Sequence, residues 1–182
     1  MVELQLYQTV ENRNNPDEVE RSAPFKCENK NAWLGEGYYF WDKFIVYARK
    51  WGEKAYNGNY FICEVFAEYE QEEVLDLVGN SSQIFDVSEI AKKLEKEYRT
   101  KITVPFIIQY LKAHTSFDYK MIRAHSVNAF PSISPLQYSF VSWNNSYIDL
   151  RPIIQCCVLD KSILKLPVKI ISSFDNINAS CI

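Results

Sequence analysis

Apolar and polar residues form two kinds of pattern along this chain, and together they predict short strands mixed with helices. Alternation, or short runs of strand-forming residues, predicts the strands, at 3–10, 37–41, 58–68, 72–78, 119–127 and 151–160. Apolar residues that recur at helical spacing predict the helices, at 42–56, 81–98 and 104–114, with a short one at 16–22. The irregular order of these elements predicts an α+β fold in which two small sheets pack together.

Local signals refine this picture at a few positions. Asp42 precedes a helical pattern and is predicted to be its N-cap. Pro105 is compatible with the first turn of the helix at 104–114. Residues 128–149 are predicted to be mostly loop, and residues 172–182 to be a loosely ordered tail. A length of 182 residues predicts a single domain, 1–182.

Composition narrows the function classes. The net charge of −3 argues against broad electrostatic capture of nucleic acid or of an anionic membrane, although a local basic groove stays open. No stretch has the character of a secretory signal or a membrane span, which predicts a cytoplasmic protein. An odd number of cysteines without a CxxC pair, together with only two histidines, predicts reduced thiols and no metal site. The residues concerned are Cys27, Cys63, Cys156, Cys157, Cys181, His114 and His125.

The stretch "WLGEGYYFWD" at 33–42 is the most unusual segment, because it holds two of the chain's five glycines among five aromatic residues. Glycine allows a backbone to approach a ligand closely, and a tyrosine face can stack on a flat ring. The segment therefore indicates an aromatic pocket with Tyr39 as one wall. The alternative is a core strand after a turn, with Tyr39 merely packed.

Four segments together carry a resemblance to a known family. They are "LYQT" (6–9), "LGEGYYFWDKFIVYARKWG" (34–52), "VLDL" (74–77) and "IIQCCV" (153–158). In this order they resemble the ADP-ribosyltransferases, most closely a bacterial branch with a "WLGxGxYFWE" motif. Poly-ADP-ribose polymerases and diphtheria-type toxins have a similar "GxGxYF" segment. The resemblance implies two small, mostly antiparallel sheets around an NAD cleft with flanking helices.

The same resemblance implies roles for individual residues. Tyr39 would stack on nicotinamide, while Gln8 and Gln155 would hold the riboses, so these three are the predicted catalytic residues. The backbone of Thr9 would bind the carboxamide, and Tyr47 or Trp51 would form the second wall. The predicted cofactor-binding residues are Tyr7, Thr9, Gly37, Tyr38, Tyr47, Trp51, Arg21 and Arg123.

The expected reaction transfers ADP-ribose from NAD⁺ to a protein or nucleic-acid acceptor and releases nicotinamide. Relatives of this kind also imply a toxin or defence role and a restraining antitoxin or regulatory protein. Gln8 stands where relatives have histidine or arginine, Gln155 where many have glutamate, and Ile153 where the bacterial branch has histidine. These replacements leave a catalytically inactive NAD-binding or protein-interaction module as the alternative. The third hypothesis is a protein that binds other proteins and has no nucleotide site.

Overall fold

The computed structural model describes residues 1–27, 29, 32–127, 130–143 and 145–172. In this part of the chain the architecture is α+β, with a seven-stranded mixed sheet, a separate two-stranded hairpin and four α-helices. The strands are β1 (Val2–Glu11), β2 (Tyr38–Asp42), β3 (Tyr60–Tyr69), β4 (Val74–Asp76), β5 (Met121–His125), β6 (Gln137–Ser139), β7 (Tyr147–Asp149), β8 (Ile154–Val158) and β9 (Lys169–Ser172). The helices are α1 (Pro16–Ser22), α2 (Ile45–Tyr56), α3 (Ser81–Tyr98) and α4 (Val104–His114).

Most elements lie where the periodicity predicts them, and three of the four helices match it residue for residue. The start of α2 was predicted wrongly. Asp42 is the last residue of β2, only 3% exposed, and its carboxylate pairs with Arg123, which neutralises the buried charge. Phe44 holds the N-cap position of α2 without a side-chain hydrogen bond.

Two features of the second half differ from the sequence prediction. The hairpin β6–β7 lies inside the segment predicted as loop, and its residues are largely exposed. Strand β9 was not predicted, and it pairs with β3 at the edge of the sheet. Of the predicted tail, Ser172 belongs to β9, and residues 173–182 lie outside the described residues.

Seven of the nine strands in the described residues form one sheet, in place of the two small packed sheets that were expected. Its order is β4-β5-β8-β2-β1-β3-β9, and β4–β5 is its parallel pair. β1 pairs with β3 at ten positions but with β2 only at two, Leu6↔Asp42 and Tyr7↔Trp41. The two halves of the sheet are therefore joined over a very short ladder, and they separate beyond Tyr7.

Buried clusters cover both faces of the sheet. One face holds Leu6, Phe40 and Cys156, with Val19 of α1 packed on it. The other face carries one cluster under α2, built around Trp41 and Tyr47, and a second that includes Leu34, Ile108 and Cys157. Adjacent residues of β8 thus point to opposite sides, as the strand period requires.

Candidate functional site

A gap opens where β2 leaves β1, and backbone groups of Thr9 lie at its edge. The N–H of Lys43 donates to the carbonyl of Gln5 at 3.0 Å, so odd-numbered residues of β1 turn their backbone groups toward β2. In the same register Thr9 would pair with Tyr39, but the ladder ends at Tyr7↔Trp41. Within the described chain, the N–H and C=O of Thr9 therefore face the gap without a strand partner on that side.

Gln8 spans the edge of this gap with its side-chain amide. Nε2 donates to the carbonyl of Phe25 at 2.9 Å and to that of Tyr39 at 3.4 Å, and Oε1 accepts from the N–H of Phe25 at 2.8 Å. Both ends of the amide are thus occupied by backbone partners, and Gln8 is 6% exposed. Gln8 therefore fastens the loop at Phe25 to the sheet, and in its predicted role at a ribose it would use the remaining acceptor capacity of Oε1.

A cavity of about 690 Å³ lies at the gap, within the size range of small-molecule sites. Aromatic side chains form much of its wall: Phe25, Trp33, Tyr39, Trp41, Trp51 and Tyr56. Thr9 and Gln155 also line it. Its charged residues include Glu11, which pairs with Arg13 at 2.6 Å, and Lys26, which pairs with Glu36 at 3.0 Å. The cavity is thus aromatic in its walls and balanced in charge.

Tyr39 reaches the cavity wall with its hydroxyl held by the preceding loop. The hydroxyl accepts from the N–H of Leu34 at 2.9 Å and donates to the carbonyl of Gly35 at 3.0 Å. Gly35 has φ +90°, a conformation that side chains rarely adopt, so the loop requires glycine there. Burial, above all, raises the pKa of Tyr39, and the nearby Cys157 adds to the effect. The phenol therefore stays neutral and offers a ring face rather than a base.

Gln155 lies across the cavity wall on β8 and is 7% exposed. Its Oε1 accepts from the indole Nε1 of Trp33 at 3.1 Å and from the hydroxyl of Ser126 at 3.2 Å. Sequence reasoning assigned no role to Trp33 or Ser126. Trp33 opens the "WLGEG" segment, but no local pattern signals its contact with a residue 122 positions away.

The second aromatic wall is formed by Trp51 rather than Tyr47. Trp51 lines the cavity, with its ring 6.3 Å from that of Trp41. Tyr47 is 2% exposed, stacks on Phe130 and donates its hydroxyl to the carbonyl of Arg151, so it supports the wall from behind.

Three further predicted residues lie beside the cavity rather than on its wall. Tyr7 is packed with the cluster under α2, where burial and the nearby Glu64 raise its pKa to about 12. Tyr38 packs against the cluster on the opposite face, with Lys161 Nζ 5.3 Å from its ring centre. Gly37 is needed for close packing on β8, because a β-carbon there would lie 2.5 Å from the sulfur of Cys157.

Both arginines predicted to bind the cofactor are engaged elsewhere. Arg21 is exposed, and its Nε donates to the carbonyl of Asp17 at 3.1 Å. Arg123 shares a sheet face with its neighbour Cys156, opposite the face of Gln155, and pairs with Asp42 at 2.7 Å and Asp76 at 3.1 Å. Neither lines the cavity.

The described residues contain no group of three or more His, Cys, Asp or Glu side chains placed to hold a metal ion. No helix in the described ranges has the length and apolar character needed to cross a bilayer.

Comparisons of the chain with protein-family models, with curated proteins and with solved structures gave no significant match.

Proposed function

We propose that the cavity binds NAD⁺ and that the protein transfers ADP-ribose to an acceptor with release of nicotinamide. The observation that carries this proposal is the gap between β1 and β2. By the register of this ladder the backbone N–H and C=O of Thr9 point into the gap, and Thr9 and Tyr39 both line the cavity. Nicotinamide carries a carboxamide, which donates and accepts, on a flat ring. The backbone pair and the ring face are complementary to these two parts.

In this proposal the aromatic walls act on the leaving group. The nicotinamide ring is a pyridinium cation in NAD⁺, and electron-rich faces such as those of Tyr39 and Trp51 attract a cation. When the bond between the anomeric carbon and the ring nitrogen breaks, its electron pair goes to the nitrogen and nicotinamide leaves neutral. An acceptor hydroxyl or amine then bonds to the anomeric carbon and loses its proton. To reach the diphosphate, Arg13 and Lys26 on the wall would exchange their carboxylate partners Glu11 and Glu36 for phosphate oxygens.

A catalytically inactive binding module is the second candidate, and one observation favours it. Positive charge that develops at the ribose would be stabilised best by a carboxylate. Gln155 instead brings an amide whose oxygen already accepts two hydrogen bonds. Such a residue can orient a ribose, but it contributes only a dipole to the transition state.

Thermal unfolding of the pure protein with NAD⁺, nicotinamide and nicotinic acid tests the site. Ligands of the native state raise the apparent melting temperature as the logarithm of their concentration above Kd. We expect NAD⁺ and nicotinamide to raise it, and nicotinic acid to fail, because its carboxylate would meet the carbonyl of Thr9. Tyr39→Ala should abolish the shift, whereas Tyr38→Ala, on the other face, should preserve it.

Nicotinamide release from NAD⁺ then separates the two candidates. Release that Gln155→Ala abolishes while NAD⁺ still binds supports the enzyme. Binding without release supports the inactive module. Absence of any NAD⁺ or nicotinamide response overturns the nucleotide site altogether and leaves an interaction protein.

A further inference from the structure

Two hydrogen bonds from outside β8 hold the side-chain amide of Gln155 in one orientation. Trp33 lies in the loop before β2 and Ser126 directly follows β5, and both donate to the same oxygen, Oε1. We propose that Trp33 is a positioning residue, which turns the NH₂ group of Gln155 toward the ligand and makes this wall specific for a hydrogen-bond acceptor. As applied to NAD⁺, the inference rests on the proposed function.

The indole is the partner that decides the orientation. An indole N–H can only donate, so the amide atom that faces Trp33 must be the oxygen. A hydroxyl such as that of Ser126 can both donate and accept, so its contact alone does not define which amide atom it meets. Of these two partners, Trp33 is therefore the one that distinguishes the two orientations. Its ring packs against the buried cluster that includes Leu34 and Ile122, which fixes the position of its N–H.

The consequence concerns what Gln155 can offer to a ligand. Oε1 already accepts two hydrogen bonds, which matches the capacity of a carbonyl oxygen. In the described part of the chain no hydrogen bond uses Nε2, so the NH₂ group is the end left for a bound molecule. Its two N–H donors call for a group that only accepts, such as a ribose ring oxygen or a diphosphate oxygen of NAD⁺. A hydroxyl could bind this wall only through its oxygen.

Gln155→Glu replaces the donor that faces the cavity with an acceptor and keeps the hydrogen bonds from Trp33 and Ser126. The indole and the hydroxyl would donate to one carboxylate oxygen, and the other oxygen would take the place of the NH₂ group. The wall would then present a negative acceptor in place of two donors. This variant therefore probes orientation directly, because its effect depends on which end of the native amide faces the ligand.

The first test observes the contact itself, without any ligand. In nitrogen-15 labelled protein, the Nε1–H resonance of Trp33 is assigned by its loss in Trp33→Phe. We expect Gln155→Ala to move this resonance upfield, because its acceptor is gone, and Gln155→Glu to move it downfield, because a charged acceptor binds more strongly. A resonance that neither substitution moves overturns the proposal.

The second test measures binding of NAD⁺ by calorimetry. Trp33→Phe keeps a ring but removes the donor, so the amide can turn, and we expect affinity to fall by about fivefold, the value of one ordinary hydrogen bond. Trp143→Phe is the matched control, since Trp143 is 81% exposed, and should leave affinity unchanged. Gln155→Glu should weaken binding more than Trp33→Phe does. Equal affinity in Trp33→Phe and the native protein overturns the orienting role.

The two tests also separate this proposal from the proposed function. If the native protein does not bind NAD⁺, but the Trp33 resonance responds to both Gln155 substitutions, the nucleotide assignment fails while the orienting contact stands. If NAD⁺ binds and the resonance does not respond, the contact fails while the nucleotide site stands.

Discussion

Both faces of the sheet at β2 and β8 bury polar groups. On one face these groups are charged and paired, and on the other they are neutral. On one face, Arg123 bonds to Asp42 at 2.7 Å and to both carboxylate oxygens of Asp76 at 3.1 Å, so each charge has an opposite partner. On the other face, Gln155 and Thr9 are neutral and keep hydrogen-bonding groups turned to the cavity. A buried charge without a partner costs far more than a neutral amide in the same position. The face around Arg123, which we call the closed face, therefore stabilises the fold, whereas the cavity at the β1–β2 gap keeps groups for a ligand.

The largest effect is expected from the closed face, where Arg123→Leu removes the guanidinium that pairs with both Asp42 and Asp76. We expect a loss of about 3–5 kcal/mol in the free energy of unfolding, because Asp42 would be left buried and unpaired. Denaturant unfolding measures it. Lys92→Ala is the control, since it breaks only the exposed pair with Glu89, and it should cost less than about 0.5 kcal/mol. A loss below about 1 kcal/mol for Arg123→Leu would show that the two faces do not differ in this way.

Gln8→Ala tests the attachment of the Phe25 loop to the sheet at the cavity and should have the next largest effect. Three backbone groups, the N–H and C=O of Phe25 and the C=O of Tyr39, would lose their partner. We expect about 2 kcal/mol of destabilisation and faster hydrogen exchange at the amide of Phe25. Gln5, like Gln8, belongs to β1, and Gln5→Ala removes one hydrogen bond, to Glu64 on β3. This control should lower the free energy of unfolding by about half as much and leave the exchange rate at Phe25 unchanged. Equal effects of the two substitutions would contradict the fastening role of Gln8.

Alkaline pH should weaken the protein through its buried thiols. Burial raises the pKa of Cys63 and of Cys157 to about 12, from 9.0 for an exposed thiol. Between these values the unfolded chain has lost the proton that the folded chain still binds, so stability falls as pH rises. At pH 10 each thiol should contribute about 1 kcal/mol of this loss. Urea unfolding at pH 8 and pH 10 measures the slope, which Cys157→Ala should reduce; an unchanged slope would contradict this account.

The apolar periodicity within each segment predicts most helices and strands of this protein. The site, in contrast, is formed by contacts between residues that lie far apart in the chain. The periodicity that locates α3 and α4 lies within each segment, so sequence reveals it. Asp42 looks like a helix cap from its neighbours alone, because its partner Arg123 lies 81 residues away. The same limit applies to the place where the β1–β2 ladder ends and to the contact between Trp33 and Gln155. Tyr39 and Gln155 could be predicted to meet because the motif order carried a resemblance, whereas the true partners of Gln8 had no sequence signal.

The smallest expected effect is a change in the labelling rate of one thiol. Measuring it compares the cavity with the closed face in the native protein, without any substitution. Cys27 is half-buried and lines the cavity, while Cys156 is fully buried on the closed face, where burial holds its pKa well above the usual range. Iodoacetamide reacts with an accessible thiolate, so at neutral pH it should modify Cys27 and leave Cys156 intact. Saturating NAD⁺ should slow the modification of Cys27 several-fold, because the ligand fills the space beside it, and peptide mass spectrometry follows both thiols in one sample. If NAD⁺ raises the melting temperature yet leaves the rate of modification at Cys27 unchanged, the nucleotide binds elsewhere, and the cavity is not the nucleotide site.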